Sequence, residues 1–151
     1  MHLQVHLQGV SLVTLSFFRD EEAAAHLADT VEQYGGLLGA AVCCTDKGGL
    51  PGDDWTTCDK DRDFLLDRIF SLAKERDLLL DFHVDENGNP ESKGLRHIAQ
   101  KTVQHGYQGK VVCGHCWCAA LTPLPSSTPC RSPPHVSLTL SGHICDRDAN
   151  E

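Results

Sequence analysis

Apolar residues recur along this chain with two alternating periods, one fitting strands and one fitting helices. Residues 3 to 15, Leu-Gln-Val-His-Leu-Gln-Gly-Val-Ser-Leu-Val-Thr-Leu, alternate and then finish apolar, which predicts a strand. Asp20, Glu21 and Glu22 then open a helix with acidic groups at its positive end. Ala24, Leu27, Val31 and Tyr34 recur on one face of it, and Gly35-Gly36 stops it. Leu37 to Cys44 is a second apolar strand, followed by a polar loop from Thr45 to Lys60. A second helix is expected over 61–76, with Leu65, Ile69 and Leu72 as its stripe and Leu66, Phe70 and Ala73 beside it. Residues 78–84, Leu-Leu-Leu-Asp-Phe-His-Val, read as a third strand. Asn89, Pro90 and Glu91 offer a cap, a first-turn proline and a first-turn acid for a third helix. That helix carries Leu95, Ile98, Ala99 and Val103 and ends at Gly106, and 110–115 forms a fourth strand.

A βαβαβαβ run implies parallel strands covered by helices. Two architectures satisfy it, an open doubly wound sheet or part of a (β/α)8 barrel. A complete barrel takes ~250 residues, so this chain has room for about half of one. The fold expected is α/β, a partial TIM-like barrel of about four parallel strands and three helices, over residues 1–118. Composition changes after that point. Five of the seven prolines fall between Pro123 and Pro134, in a stretch rich in Ser and Thr. Residues 119–151 therefore read as a low-complexity, unstructured tail. Val136 to Leu140 has the composition of a short strand but no context for one.

The 151 residues carry a formal charge of -8, and the sequence pI is near 5.5. This balance provides no footprint for nucleic acid or an anionic membrane. No apolar run is long enough to span a bilayer. Met1-His2-Leu3-Gln4 has neither a basic start nor an apolar signal core, so a cytoplasmic location is expected. Without a secretion signal, the eight cysteines do not read as a disulfide framework. Cys43, Cys44 and Cys113 sit in apolar runs and are expected to be buried free thiols.

Candidate chemistry gathers at two strand ends. His83-Val84-Asp85-Glu86 follows a strongly apolar strand, and in parallel sheets ligands bind at that carboxyl edge. A neutral imidazole there is a good metal ligand, and a carboxylate three residues on can shuttle protons. The plainer reading makes Asp85 or Glu86 a turn cap and His83 a satisfied strand histidine. The next strand also ends in a histidine, His115, after Gly114, so two neighbouring strands offer imidazoles at one rim. Cys113, Cys116 and Cys118 form a rival constellation with Cys-x-x-Cys spacing. A structural zinc would need a second ligand pair at regular spacing, and Cys130, His135, His143 and Cys145 are irregular, so Cys113 reads as core and Cys116 as a pocket thiol. Asp53, Asp54 and Asp59 lack the spacing of a calcium loop. His26, His97 and His105 are expected on helix surfaces.

The stretch Leu80 to Glu86, the helix start after it, and Gly109 to His115 resemble the cytosine-deaminase branch of the metal-dependent amidohydrolases. The resemblance covers about residues 3–116. It implies that His83 is a metal ligand, Glu86 the proton shuttle and His115 the residue that orients the hydrolytic water. It also implies one divalent metal ion, zinc or iron, and a small cyclic amidine or amide as substrate. The chain departs from the family in three ways. The family's first strand carries His-x-His, and only His2 and His6, four apart, are present here. No late-strand aspartate has a counterpart. The glutamine that reads the pyrimidine would fall near Thr14 or Leu15, so amidohydrolase is a safer description than cytosine deaminase. With part of the metal set missing, this chain is expected to be weakly active or inactive alone, and to self-associate or bind a complementary half-barrel. The alternative is a non-catalytic half-barrel that only binds or assembles.

Overall fold

The computed structural model describes residues 8–42, 61–86, 92–116 and 139–141. Four parallel strands, β1 (Val10–Thr14), β2 (Leu37–Val42), β3 (Leu80–Val84) and β4 (Val111–His115), lie side by side in chain order. A fifth, β5 (Thr139–Ser141), pairs parallel with β4. It overlaps the run at Val136–Leu140 that had strand composition without a context; the context is the free edge of β4. The rest of the tail, 117–138 and 142–151, the polar loop at 45–60 with its aspartates, and Cys43, Cys44 and Cys118 lie outside the described residues.

Three helices join the strands: α1 (Glu21–Tyr34), α2 (Arg62–Glu75) and α3 (Gly94–Gln104). Asp20 caps α1 by accepting from the Ala23 N–H at 3.0 Å, and Gly35 ends it at φ 68°, a left-handed turn open to glycine. β1 stops one residue before the expected end, because Leu15–Arg19 coils into a 3-10 turn that buries Leu15 and Phe18; residues 3–7 of the expected strand lie outside the described residues. Arg68 of α2 holds that turn, donating to the carbonyls of Phe18 at 2.7 Å and Arg19 at 3.0 Å.

The register sorts side chains into two faces. Leu80, Phe82 and Val84 of β3 fall in rows with Leu38, Ala40 and Val42 of β2. All six are fully buried and share one core with Ala24, Ala28, Leu65, Ile69, Phe70 and Ile98 from the three helices. The helices therefore cover one face, as right-handed crossovers between sequential strands require. The Phe70 ring stacks on Phe82 at 5.9 Å. The opposite face holds the rows Leu12–Gly39–Asp81–Val112 and Thr14–Ala41–His83–Gly114. No helix among the described residues is long and apolar enough to cross a membrane.

The third helix begins later than expected. It starts at Gly94, past Pro90, and Lys93 at its N-cap makes no side-chain capping bond. At the other end His105 is not a surface residue. It stacks on Phe70 at 5.1 Å and bonds Asp67 at 2.8 Å, alongside a Lys101–Asp67 pair at 2.8 Å. His26 is exposed as expected, and His97 is partly covered.

Candidate metal and proton-transfer site

His83 occupies the next-to-last position of β3, between Ala41 on one side and Gly114 on the other. Neither neighbour adds bulk, so space is left around the imidazole on the open face. His115 ends β4 in the row of Val42 and Val84, both of which are buried under the helices. Strict alternation would thus point His115 away from His83. Instead His115 is exposed, with φ 67°, and Cys116 follows with φ 47°. This left-handed corner, uncommon for side chains other than glycine, breaks the alternation and brings the ring round. His115 Nε2 lies 3.2 Å from His83 Nδ1, with the ring centroids 4.7 Å apart.

The end of β3 turns in the same way, with Asp85 at φ 53°. Beyond that turn Glu86 extends to His115, Oε1 lying 3.5 Å from Nδ1. One ligand-type atom from each of His83, Glu86 and His115 can be chosen so that all lie within 4.8 Å of one another. The three residues singled out by sequence meet at the carboxyl edge of the sheet. Both imidazoles and the carboxylate are partly open to solvent.

Asp85, between two of these residues, is buried and does what the plainer reading assigned to a turn cap. Its Oδ1 accepts from the Gly94 N–H and its Oδ2 from the Leu95 N–H, each at 3.0 Å. Two of the orphan donors that open α3 are satisfied in this way from outside the helix. A contact between residues nine apart across a loop has no signature in local spacing.

Of the cysteine constellation, only Cys113 and Cys116 are among the described residues. Cys113 is fully buried on the helix face, and burial pushes its thiol up to about 12. Burial also raises Cys116, whose Sγ sits near the carbonyls of Gly114 and Cys113 at 3.6 and 3.9 Å. Cys113, enclosed in the core, is placed as a packing residue rather than as a ligand.

No family model matches the chain. Its sequence is 29% identical over 119 residues to the N-isopropylammelide isopropyl amidohydrolase of Pseudomonas sp. (strain ADP), covering 79% of this chain and 27% of that protein. It is 34% identical over 113 residues to the pterin deaminase of Rhizobium rhizogenes, covering 75% of this chain and 23% of that protein. The chain therefore spans about a quarter of the length of these curated relatives. Among solved structures, the 5-methylcytosine deaminase of Klebsiella pneumoniae liganded with 5-fluorocytosine aligns with 74% of this chain and 34% of its own, at TM-score 0.41 and 17% identity. By sequence, about three quarters of this chain is similar to part of an amidohydrolase and to part of a pterin deaminase.

Proposed function

We propose that this chain contributes the proton-transfer edge of a metal-dependent hydrolase acting on non-peptide C–N bonds of cyclic amidines or amides. The observation that carries this reading is the convergence of His83, Glu86 and His115 at the carboxyl ends of two adjacent parallel strands. The donor set fits a divalent ion. Two nitrogens each about 2.0–2.1 Å from zinc at a tetrahedral angle lie about 3.4 Å apart, close to the 3.2 Å between the two rings. Nitrogen with carboxylate oxygen suits zinc or iron.

His83 would hold the ion, with His115 beside it. A bound divalent ion would supply Lewis acidity and lower the pKa of water toward neutrality. Glu86 takes the proton of the attacking water and delivers it to a ring nitrogen, which makes the adjacent carbon more electrophilic. The emptied carboxylate then takes the proton of the hydroxyl now bonded to that carbon and hands it to the departing amine as the C–N bond breaks and the C=O bond forms. His115, held between His83 and Glu86, directs the water and stabilises developing charge.

A catalytic site of this type has three protein ligands and an open position. Among the described residues no further His, Cys, Asp or Glu joins the group. The chain alone should therefore turn over weakly. The test is a metal-reconstituted assay against cyclic amidines and amides, cytosine included, beside Glu86→Ala. Weak turnover that needs both the metal and Glu86 supports the reading. If the chain binds no divalent ion and shows no turnover, it falls, and a non-catalytic binding or assembly role takes its place.

A further inference from the structure

We infer that Asp85 is a positioning residue for Glu86, a step that rests on reading Glu86 as the proton carrier of the site. Its side chain is anchored on a different element, the start of α3. Both carboxylate oxygens are taken up by backbone donors of α3, Gly94 and Leu95. Its own N–H donates to the Val42 carbonyl of β2 at 3.0 Å. Asp85 is 2% exposed, whereas Glu86 beside it is exposed. The first residue past the strand is thus fixed from two sides, and the second projects from it into the site.

The helix is built to receive this anchor. It has no acidic residue in its first turn and no capping side chain of its own, so Asp85 supplies both the acceptors and the negative charge that its N-terminus favours. Gly94 is the position where the two elements touch. A Cβ there would stand 2.6 Å from Asp85 Oδ1, 2.8 Å from Val84 Cγ2 and 3.1 Å from the Val42 carbonyl oxygen. Only a residue without a side chain lets the helix come close enough for both bonds. The left-handed backbone at Asp85, φ 53°, is held by this clamp. It takes the chain off the line of β3 and carries Glu86 to within 3.5 Å of His115. Asp and Asn tolerate this backbone better than most side chains, so replacement by Asn keeps the turn and removes the charge and one acceptor.

A residue that merely caps a helix would affect α3 and leave the imidazoles unchanged. The experiment reads the ring-nitrogen chemical shifts of His115 in the metal-free chain, in the wild type, Asp85→Asn, Glu86→Gln and the double variant. Glu86→Gln removes the charge facing His115 Nδ1 and defines the shift of the ring without that charge, its contact with His83 kept. The expected result is that Asp85→Asn moves His115 in the same direction by at least half that amount, and adds nothing in the Glu86→Gln background. The inference is overturned if His115 stays at its wild-type shift while the Gly94 and Leu95 amides lose exchange protection. If Asp85→Asn does not fold, Lys93→Asp is added to give α3 a cap of its own, and the same comparison is made. Cobalt binding, measured in parallel, separates the two ideas. A wild type that binds no cobalt sinks the metal reading, but the metal-free shifts still decide the role of Asp85.

Discussion

His83 and His115 bring their ring nitrogens to 3.2 Å although their backbones are out of register: His83 pairs with Gly114, and His115 pairs with Val84. The left-handed corner at His115 and the absence of a side chain at Gly114 together make the meeting possible. The site therefore depends on backbone conformation as much as on residue identity.

Divalent-ion affinity should report that pairing. Titration with zinc or cobalt is expected to show one weak site, with His83→Ala and His115→Ala each lowering affinity by about tenfold or more, as even outer-shell losses at metal sites do. Calorimetry checks this. Unchanged affinity in both variants would remove these imidazoles from the metal's coordination.

Gly94→Ala should destabilise the chain even though alanine is the better helix former by about 1 kcal/mol. The new methyl would overlap Asp85, Val84 and the Val42 carbonyl, and overpacking of this kind costs about 1–3 kcal/mol. Urea unfolding measures the balance, and a raised midpoint would mean the helix shifts freely.

The Tyr107 hydroxyl lies 2.6 Å from the Leu78 carbonyl oxygen and 3.1 Å from that of Ala73, in a buried position. Tyr107→Phe leaves those acceptors unsatisfied, at about 1–3 kcal/mol. Burial raises the pKa of this phenol above its ordinary 10.0. The group therefore stabilises the fold fully below that value, and the contribution is lost as pH rises through the higher folded value. Denaturation curves above pH 10 should fall more steeply for the wild type than for Tyr107→Phe.

Asp67 has the opposite sign. Burial alone would raise its pKa, but hydrogen bonds from His105 and Lys101 and their charges hold it below the ordinary 3.8. Its contribution is present above 3.8 and is lost as pH falls through the lower folded value. Asp67→Asn should cost about 0.2–1 kcal/mol near neutrality, the scale of a solvent-screened pair, and should flatten the acid limb of a stability–pH profile.

The open face of the sheet carries Val10 and Leu12, both more than a third exposed, on strand β1 at one edge of the sheet. An apolar strand of this kind favours association with another copy or a complementary half. Sedimentation should show self-association, weakened by Leu12→Lys. A monomer at all concentrations would contradict it.

The alternating periods of the sequence mark the strands and helices because burial on one face imposes them. Leu65, Ile69 and Phe70 are in the core as their spacing required. Tyr34, placed on the apolar face of α1 by the same reasoning, is largely exposed because it lies in the last turn, beyond the reach of the sheet. Asn89 and Pro90 suggested an earlier start for α3; the observed start depends on Asp85, a partner that periodicity cannot reveal. His105 was read as a surface residue because nothing local announces Asp67, 38 positions away. The three site residues were legible as strand-end chemistry. Their convergence was expected from two neighbouring strands ending at one rim; the left-handed corner at His115 that achieves it against the pleat alternation was not.

Spatial order and chain order coincide across this sheet from β1 to β5. Each strand that leaves the ribosome finds its ladder partner already made, one crossover upstream, and N-terminal structure can form first during synthesis. Each pairing still closes a crossover of tens of residues, which makes a parallel sheet slow to form. The two imidazoles lie on different strands, so they meet only once β4 is paired with β3, and the site cannot form ahead of the sheet that carries it.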